Sequence, residues 1–163
     1  MDFKLIIAII LSFLPISELR GGLPFAIVYS NQHNIPISFV FLLVLLVNIL
    51  AIFFVFYFLD NVHDYLMKNL TFYKKFFDSY LKKIRIKADK LEKKYSTLGF
   101  LALTIFVAIP LPGTGAWTGS IISWLLKLDR KKSILSISLG VIIAGFSVLL
   151  GTLGVLNSFF GIL

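Results

Sequence analysis

Two ionisable side chains, Glu18 and Arg20, interrupt an otherwise apolar block in the segment P-I-S-E-L-R-G-G-L-P, Pro15 to Pro24. Charged groups at the centre of a membrane helix cost about 2.5–3.5 kcal/mol each on insertion scales, so they pair or face a watery cavity and mark sites. A carboxylate in such a place carries a proton or a cation, and a guanidinium holds a carboxylate or a phosphate. Gly21 and Gly22 let backbone approach a partner or ligand closely. Pro15 and Pro24 free backbone carbonyls, which membrane interiors tolerate only inside protein or beside water. The plainer alternative is that Glu18 and Arg20 merely neutralise each other at a bend, and the two readings are compatible.

A second interrupted segment reads I-P-L-P-G-T-G-A-W-T-G-S, Ile109 to Ser120. Its polar groups are neutral, and Gly113, Thr114, Gly115, Trp117 and Thr118 are the candidate binding residues. A helix starting near Ala116 would turn free N–H groups and its positive dipole end toward the break, where an anion is stabilised. Arg20, arriving from the first motif, would complete a site for a phosphate or carboxylate and leave Glu18 to carry a proton or cation. Trp117 either lines that site or only packs, and Trp124, beside a basic loop, reads as an interface anchor.

Positioning these motifs requires four apolar blocks. The chain has 163 residues, 58% hydrophobic and only 15% charged, with mean hydropathy +0.94, and its apolar residues run in long stretches. That composition belongs to a polytopic membrane protein. The first block, 3–30, is broken at Pro15–Pro24. The second, 37–59, holds no charge, proline or glycine, and its length of roughly 34 Å spans a hydrocarbon core of about 30 Å. The third, 98–126, is broken at Pro110–Gly115, and the fourth, 133–160, spans again. The apolar N-terminus has a charged lead-in of only Asp2 and Lys4 and no small-residue cleavage site, so no signal peptide is expected.

Between the halves lies 60–97, which carries ten of the sixteen Lys and Arg residues. Tyr73, Phe77, Tyr80, Ile84, Ala88, Leu91 and Tyr95 recur there at helical spacing among lysines, which predicts a basic amphipathic helix on the membrane surface or against a partner. A solvated connector with a helical stripe fits equally. Basic loops face the cytoplasm, which places 60–97 and 127–132 on that side. Block 98–126 then begins and ends on one side and is predicted to be a re-entrant hairpin with arms of roughly 18 Å. Block 3–30 has the same plan, entering from outside, with a kinked full span as its alternative. The predicted fold is therefore an all-α polytopic membrane protein, a single domain 1–163 in the cell membrane. It is an inverted-topology repeat: hairpin 3–30 plus span 37–59 within 1–59, then hairpin 98–126 plus span 133–160 within 98–163.

Other chemistry finds little support. There is no cysteine. His33 and His63 are isolated from other ligating side chains, so no metal is expected. No hydrolase, P-loop or H-E-x-x-H motif occurs, so neither an enzyme nor a cofactor is expected. The net charge of +8 sits between apolar blocks and points to lipid headgroups rather than nucleic acid.

The segments ELRGGLP and PLPGTGAWTG resemble the signature segments of the small multidrug export protein family, related to the DedA and VTT membrane proteins, in order and spacing along nearly the whole chain. The resemblance implies two opposed re-entrant helices with flanking spans, a homodimer, and transport or scrambling of lipids such as polyprenyl phosphates, driven by H+ or Na+. By motif, Glu18 and Arg20 match the charged pair at the first tip, and Pro110–Gly119 match the second. DedA proteins commonly carry an arginine in or near the second hairpin; Ile109–Gly113 has none, so an anion site would rest on Arg20 and backbone dipoles. The leading expectation is a transporter or flippase for an anionic amphiphile. A non-transporting membrane scaffold and an exporter of small cationic drugs are the alternatives.

Overall fold

The computed structural model describes residues 3–71, 77, 79, 82, 84, 99–111 and 113–160. Their helices are α1 Phe3–Phe13, α2 Glu18–Gln32, α3 Ile37–Asn61, α4 His63–Asn69, α5 Gly99–Ala108, α6 Ala116–Leu125 and α7 Arg130–Phe160. The two long helices, α3 and α7, are apolar and long enough to cross a membrane.

Their outward faces are apolar. Phe39, Leu42, Leu46, Leu50, Phe53 and Tyr57 of α3 recur at helical spacing and are exposed, as are Leu135, Leu139, Ile143, Phe146 and Leu150 of α7. Polar residues are inside instead: Ser12, Ser30, Asn48 and Ser120 are at most 1% exposed. Water would not tolerate so continuous an apolar exterior, whereas lipid tails are its natural solvent. With the polar groups hidden and the apolar ones outward, the chain is built for a bilayer.

The spans are antiparallel. Phe41 near the start of α3 packs on Phe146 in the later half of α7, ring centroids 5.2 Å apart, while Asp60 at the end of α3 meets Arg130 at the start of α7. The segments preceding α7 and following α3 therefore leave the bundle at one end. Asp129 caps α7 by accepting from Lys132 N–H at 2.9 Å, and the helix continues Ser133–Phe160 without a charge.

The first break is shorter than the motif Pro15–Pro24 predicts. It is confined to Leu14–Ser17, and α2 begins at Glu18 and runs through both glycines and Pro24. Pro15 has no N–H for the Leu11 carbonyl, and the Ser17 hydroxyl donates to that carbonyl instead, at 2.5 Å. The Ser12 hydroxyl likewise turns back onto the Ala8 carbonyl, at 2.7 Å. Across the turn α1 and α2 fold onto each other: a Cβ on Gly22 would lie 1.8 Å from Ser12 Oγ. Close helix packing, not a special backbone angle, is the reason for that glycine.

The second break spans Ile109–Gly115, and Pro112 lies outside the described residues. Gly113 turns the chain with φ 78°, a conformation that favours glycine. Beyond it α6 returns alongside α5 and α7, because a Cβ on Gly119 would lie 2.8 Å from the Val107 side chain and 3.4 Å from that of Ile137.

The basic stretch 60–97 is described only at its start and at Phe77, Ser79, Lys82 and Ile84. Phe77 and Ile84 are buried in a cluster with Val55 and Leu59 of α3 and Ile121 and Ile122 of α6, while Ser79 and Lys82 are exposed. At these positions the apolar stripe packs on the chain's own helices. Tyr73, Tyr80, Ala88, Leu91 and Tyr95 fall outside the described residues.

Candidate functional site

The first turn of α2 is set against the second break at mid-height of the spans. Asn48, 1% exposed, lies near the centre of α3. Its Oδ1 accepts the Leu19 N–H at 3.2 Å, and its Nδ2 donates to the Val44 carbonyl at 3.0 Å. Counting residues from Asn48 puts the Glu18–Leu19 turn roughly 16–20 Å from either end of α3. A buried amide in an apolar helix thus fixes the depth of the tip. On the other side Gly145 of α7 faces Leu19 and Leu45.

Glu18, 6% exposed, points at the start of α6. Its Oε1 accepts the Trp117 backbone N–H at 3.1 Å, and its other oxygen lies against Gly115, where a Cβ would come within 1.4 Å of it. Trp117 is the second residue of α6, so the carboxylate supplies the acceptor that an N-cap side chain normally gives, from 99 residues away. The negative charge also meets the positive end of the helix dipole. Glu18 itself has φ 46°, a left-handed backbone that costs a non-glycine residue about 1–3 kcal/mol and persists where surrounding structure enforces it.

Arg20, two residues on, reaches the other side of the same break. Its Nη2 donates to the Thr114 carbonyl at 2.7 Å and to Thr114 Oγ1 at 2.9 Å, with a longer bond to the Ile109 carbonyl at 3.4 Å; its Nη1 donates to the Leu111 carbonyl. These carbonyls lie just beyond the C-terminus of α5, where a cation is favoured. The planar fork of guanidinium suits several acceptors at once, as a lysine would not. Thr114 Oγ1 is 2.6 Å from the Ile109 carbonyl and 2.8 Å from that of Leu111, so its hydroxyl closes the same turn. One charged pair therefore serves both ends of the broken segment.

Trp117 fixes the approach from the α1 side. Its indole Nε1 donates to the Phe13 carbonyl at 2.8 Å, and its ring packs edge-on against Phe13 and Phe54 at 5.8 and 6.0 Å. Thr118 is buried in the next position of α6.

The structure thus gathers Glu18, Arg20, Thr114, Gly115 and Trp117 at one junction. It departs from expectation in who binds whom. The α6 N–H predicted to await an external anion holds the Glu18 carboxylate, and the Arg20 guanidinium is engaged by backbone carbonyls. Gly21 and Gly22 do not line the junction: Gly21 packs on Ser17 and Gly22 on Ser12. Gly113 forms the exposed turn. What remains open is a cavity of about 10 Å³, lined among others by Glu18, Arg20, Asn48 and Val141, room for roughly one water.

One ion pair had no place in the sequence reading. Asp60 and Arg130 form a two-oxygen ion pair at 2.7 and 2.9 Å, with the guanidinium 3.9 Å over the Phe56 ring. A carboxylate at the end of one span and an arginine at the start of the next was the signal for it. Trp124, predicted as an interface anchor, packs edge-on against His63 at 5.3 Å. Among the described residues no group of three or more His, Cys, Asp or Glu is placed to hold a metal.

No curated protein and no solved structure matches the chain. A family model does, and its match starts at Glu18, just past the first break, and contains Arg20, the second break, the Asn48 anchor and the Asp60–Arg130 pair. Over residues 18–146, most of its length, the chain matches the family described as "Putative small multi-drug export protein", and it belongs to that family.

Proposed function

We propose that the chain is a secondary transporter of the DedA-like type that moves an anionic amphiphile, a lipid-linked phosphate such as a polyprenyl phosphate, with a proton or sodium ion carried at Glu18. In this reading α1–α2 and α5–α6 are re-entrant pairs entering from opposite faces of the cell membrane, related as an inverted repeat. The segments 60–97 and 127–132 are cytoplasmic, and two copies form a homodimer.

One observation carries the proposal: the Glu18 carboxylate occupies the N-terminus of α6, a position whose donors suit any anion. Neutralising Glu18 removes its charge-assisted bond to Trp117 N–H and frees those donors. A substrate phosphate then takes them over, while Arg20 stays cationic and holds the break together. Exchange of one anion for another at a single set of donors couples cation uptake to substrate binding. The one-water cavity is the closed stage of that exchange, and opening needs the tips to separate.

The test uses purified protein in proteoliposomes with a labelled polyprenyl phosphate. Wild type translocates it faster under an imposed proton or sodium gradient, Glu18→Gln loses the gradient dependence, and Arg20→Ala loses translocation. An unchanged gradient response in Glu18→Gln would refute the coupling role, and undiminished translocation in Arg20→Ala would refute the site. The family's description favours a second reading, export of small cationic drugs with Glu18 as counter-ion. There a fluorescent cation, not the lipid phosphate, is moved against protons, and Glu18→Gln loses its binding. If neither cargo moves, the scaffold reading stands.

A further inference from the structure

The end of the bundle where α3 finishes and α7 starts holds a cavity of about 390 Å³, far from the one-water space at Glu18. Phe56, Asp60, Trp124, Lys127, Leu128 and Arg130 line it. Phe56, Trp124 and Leu128 are apolar, and the lining also carries two cations, Lys127 and Arg130, against one carboxylate, Asp60. Arg130 uses one nitrogen, Nη2, for both Asp60 oxygens, and stacks on Phe56. Its other terminal nitrogen, Nη1, is buried and has no hydrogen-bond partner. A buried guanidinium N–H without an acceptor is costly, and a native structure normally supplies one. Lys127 adds a second cation from a residue with φ 50°, at the turn between α6 and α7.

The position matters as much as the chemistry. The apolar run of α3 ends at Leu59 and the charged sequence begins at Asp60, so the cavity lies at the level where hydrocarbon gives way to headgroups. Amphipathic aromatics and basic side chains together are what that level selects. The net charge of the lining, two cations and one anion, favours an anion over a zwitterion.

We infer that this cavity binds a phosphate-bearing anion, supplied by the headgroup of an anionic phospholipid whose acyl stem lies along Phe56, Trp124 and Leu128. Lys127 and the Arg130 guanidinium hold the phosphate oxygens, Nη1 gaining the acceptor it lacks, and the Asp60 carboxylate competes with the phosphate for that guanidinium. This site is separate from the Glu18–Arg20 junction and does not depend on the transport reading.

The chain has two tryptophans, so Trp117→Phe leaves Trp124 as a probe in the cavity wall. Reconstituted into vesicles of phosphatidylcholine with a minor share of brominated phosphatidylglycerol, it is quenched more strongly than by the same share of brominated phosphatidylcholine. Lys127→Gln, which leaves the ion pair intact, lowers that preference about fivefold, the effect of one cation beside an anionic headgroup. Arg130→Gln lowers it further, while Asp60→Asn maintains or raises it. Because both Arg130→Gln and Asp60→Asn break the ion pair, a merely structural role would move them alike. Equal quenching by the two lipids, or a preference unchanged in Lys127→Gln and Arg130→Gln, overturns the inference. Relief of the quenching by millimolar inorganic phosphate would keep the phosphate chemistry but assign it to a soluble source.

Discussion

The Glu18 carboxylate and the Trp117 backbone N–H meet at 3.1 Å across 99 residues of sequence. With that contact the first break caps the helix that follows the second. Arg20 completes the reciprocal bond onto carbonyls of Leu111 and Thr114. Each break keeps bonds of its own, Ser17 onto Leu11 and Thr114 onto Ile109 and Leu111, and Glu18 and Arg20 tie the two together across the halves.

Gly115→Ala should disrupt this junction without altering any charge. Its Cβ would lie 1.4 Å from Glu18 Oε2, so the carboxylate must leave the α6 N-terminus. Loss of a charge-assisted hydrogen bond of about 1.5–3 kcal/mol predicts a fall in transport on the order of tenfold or more. Transport assays beside thermal unfolding check it; a fully active Gly115→Ala would show that the Glu18 contact is dispensable.

Arg20→Lys should behave much like Arg20→Ala. An ammonium is a compact point charge and cannot reach the spread of carbonyls that the guanidinium fork serves. At membrane depth a carbonyl left without a donor has no water to replace it, at a cost of about 1–3 kcal/mol each, so both variants should melt earlier in detergent, followed by circular dichroism. Wild-type melting of Arg20→Lys would mean that charge alone suffices there.

Gly22→Ala should push α1 away from α2, because the new methyl would sit 1.8 Å from Ser12 Oγ. Adding Ser12→Gly removes that oxygen but leaves Ser12 Cα 2.8 Å away, so rescue is partial. A double variant no more stable than Gly22→Ala alone would place the strain elsewhere.

Asn48→Leu keeps the size and apolarity of the span yet removes the acceptor for Leu19 N–H. Interhelical hydrogen bonds in membranes average about 0.6 kcal/mol and reach about 1.7. The global loss should be small, while hydrogen exchange at the Glu18–Arg20 amides should speed up several-fold. Unchanged exchange there would mean that the tip is held at its depth by other contacts.

The absence of cysteine makes accessibility mapping direct. Single cysteines at Lys82 and Lys131, both exposed, should react with an impermeant maleimide only from the cytoplasmic side, and one at Asn31 only from outside. Labelling of Lys82→Cys and Lys131→Cys from opposite sides would make 98–126 a full crossing and remove the re-entrant reading.

Much of the architecture was legible in the residues themselves. An uncharged run such as Ile37–Leu59 is long and apolar enough to cross a membrane, so both long helices and their limits within a few residues followed from hydropathy. Pro15 and Pro110 stop helices by lacking an N–H, so the interruptions could be placed too. Glu18 and Arg20 drew notice because charge is costly among apolar neighbours. Their partners could not be read in advance: a hydrogen bond from Arg20 to the Leu111 carbonyl depends on where a distant backbone turns, and backbone carbonyls look alike in every sequence. The same holds for Gly22, whose small size answers to Ser12 on the neighbouring helix rather than to its own dihedral angles. Sequence determined which groups had to be hidden from lipid; tertiary packing decided that they hide against one another, because only the folded chain brings a carboxylate to a helix start and a guanidinium to a helix end.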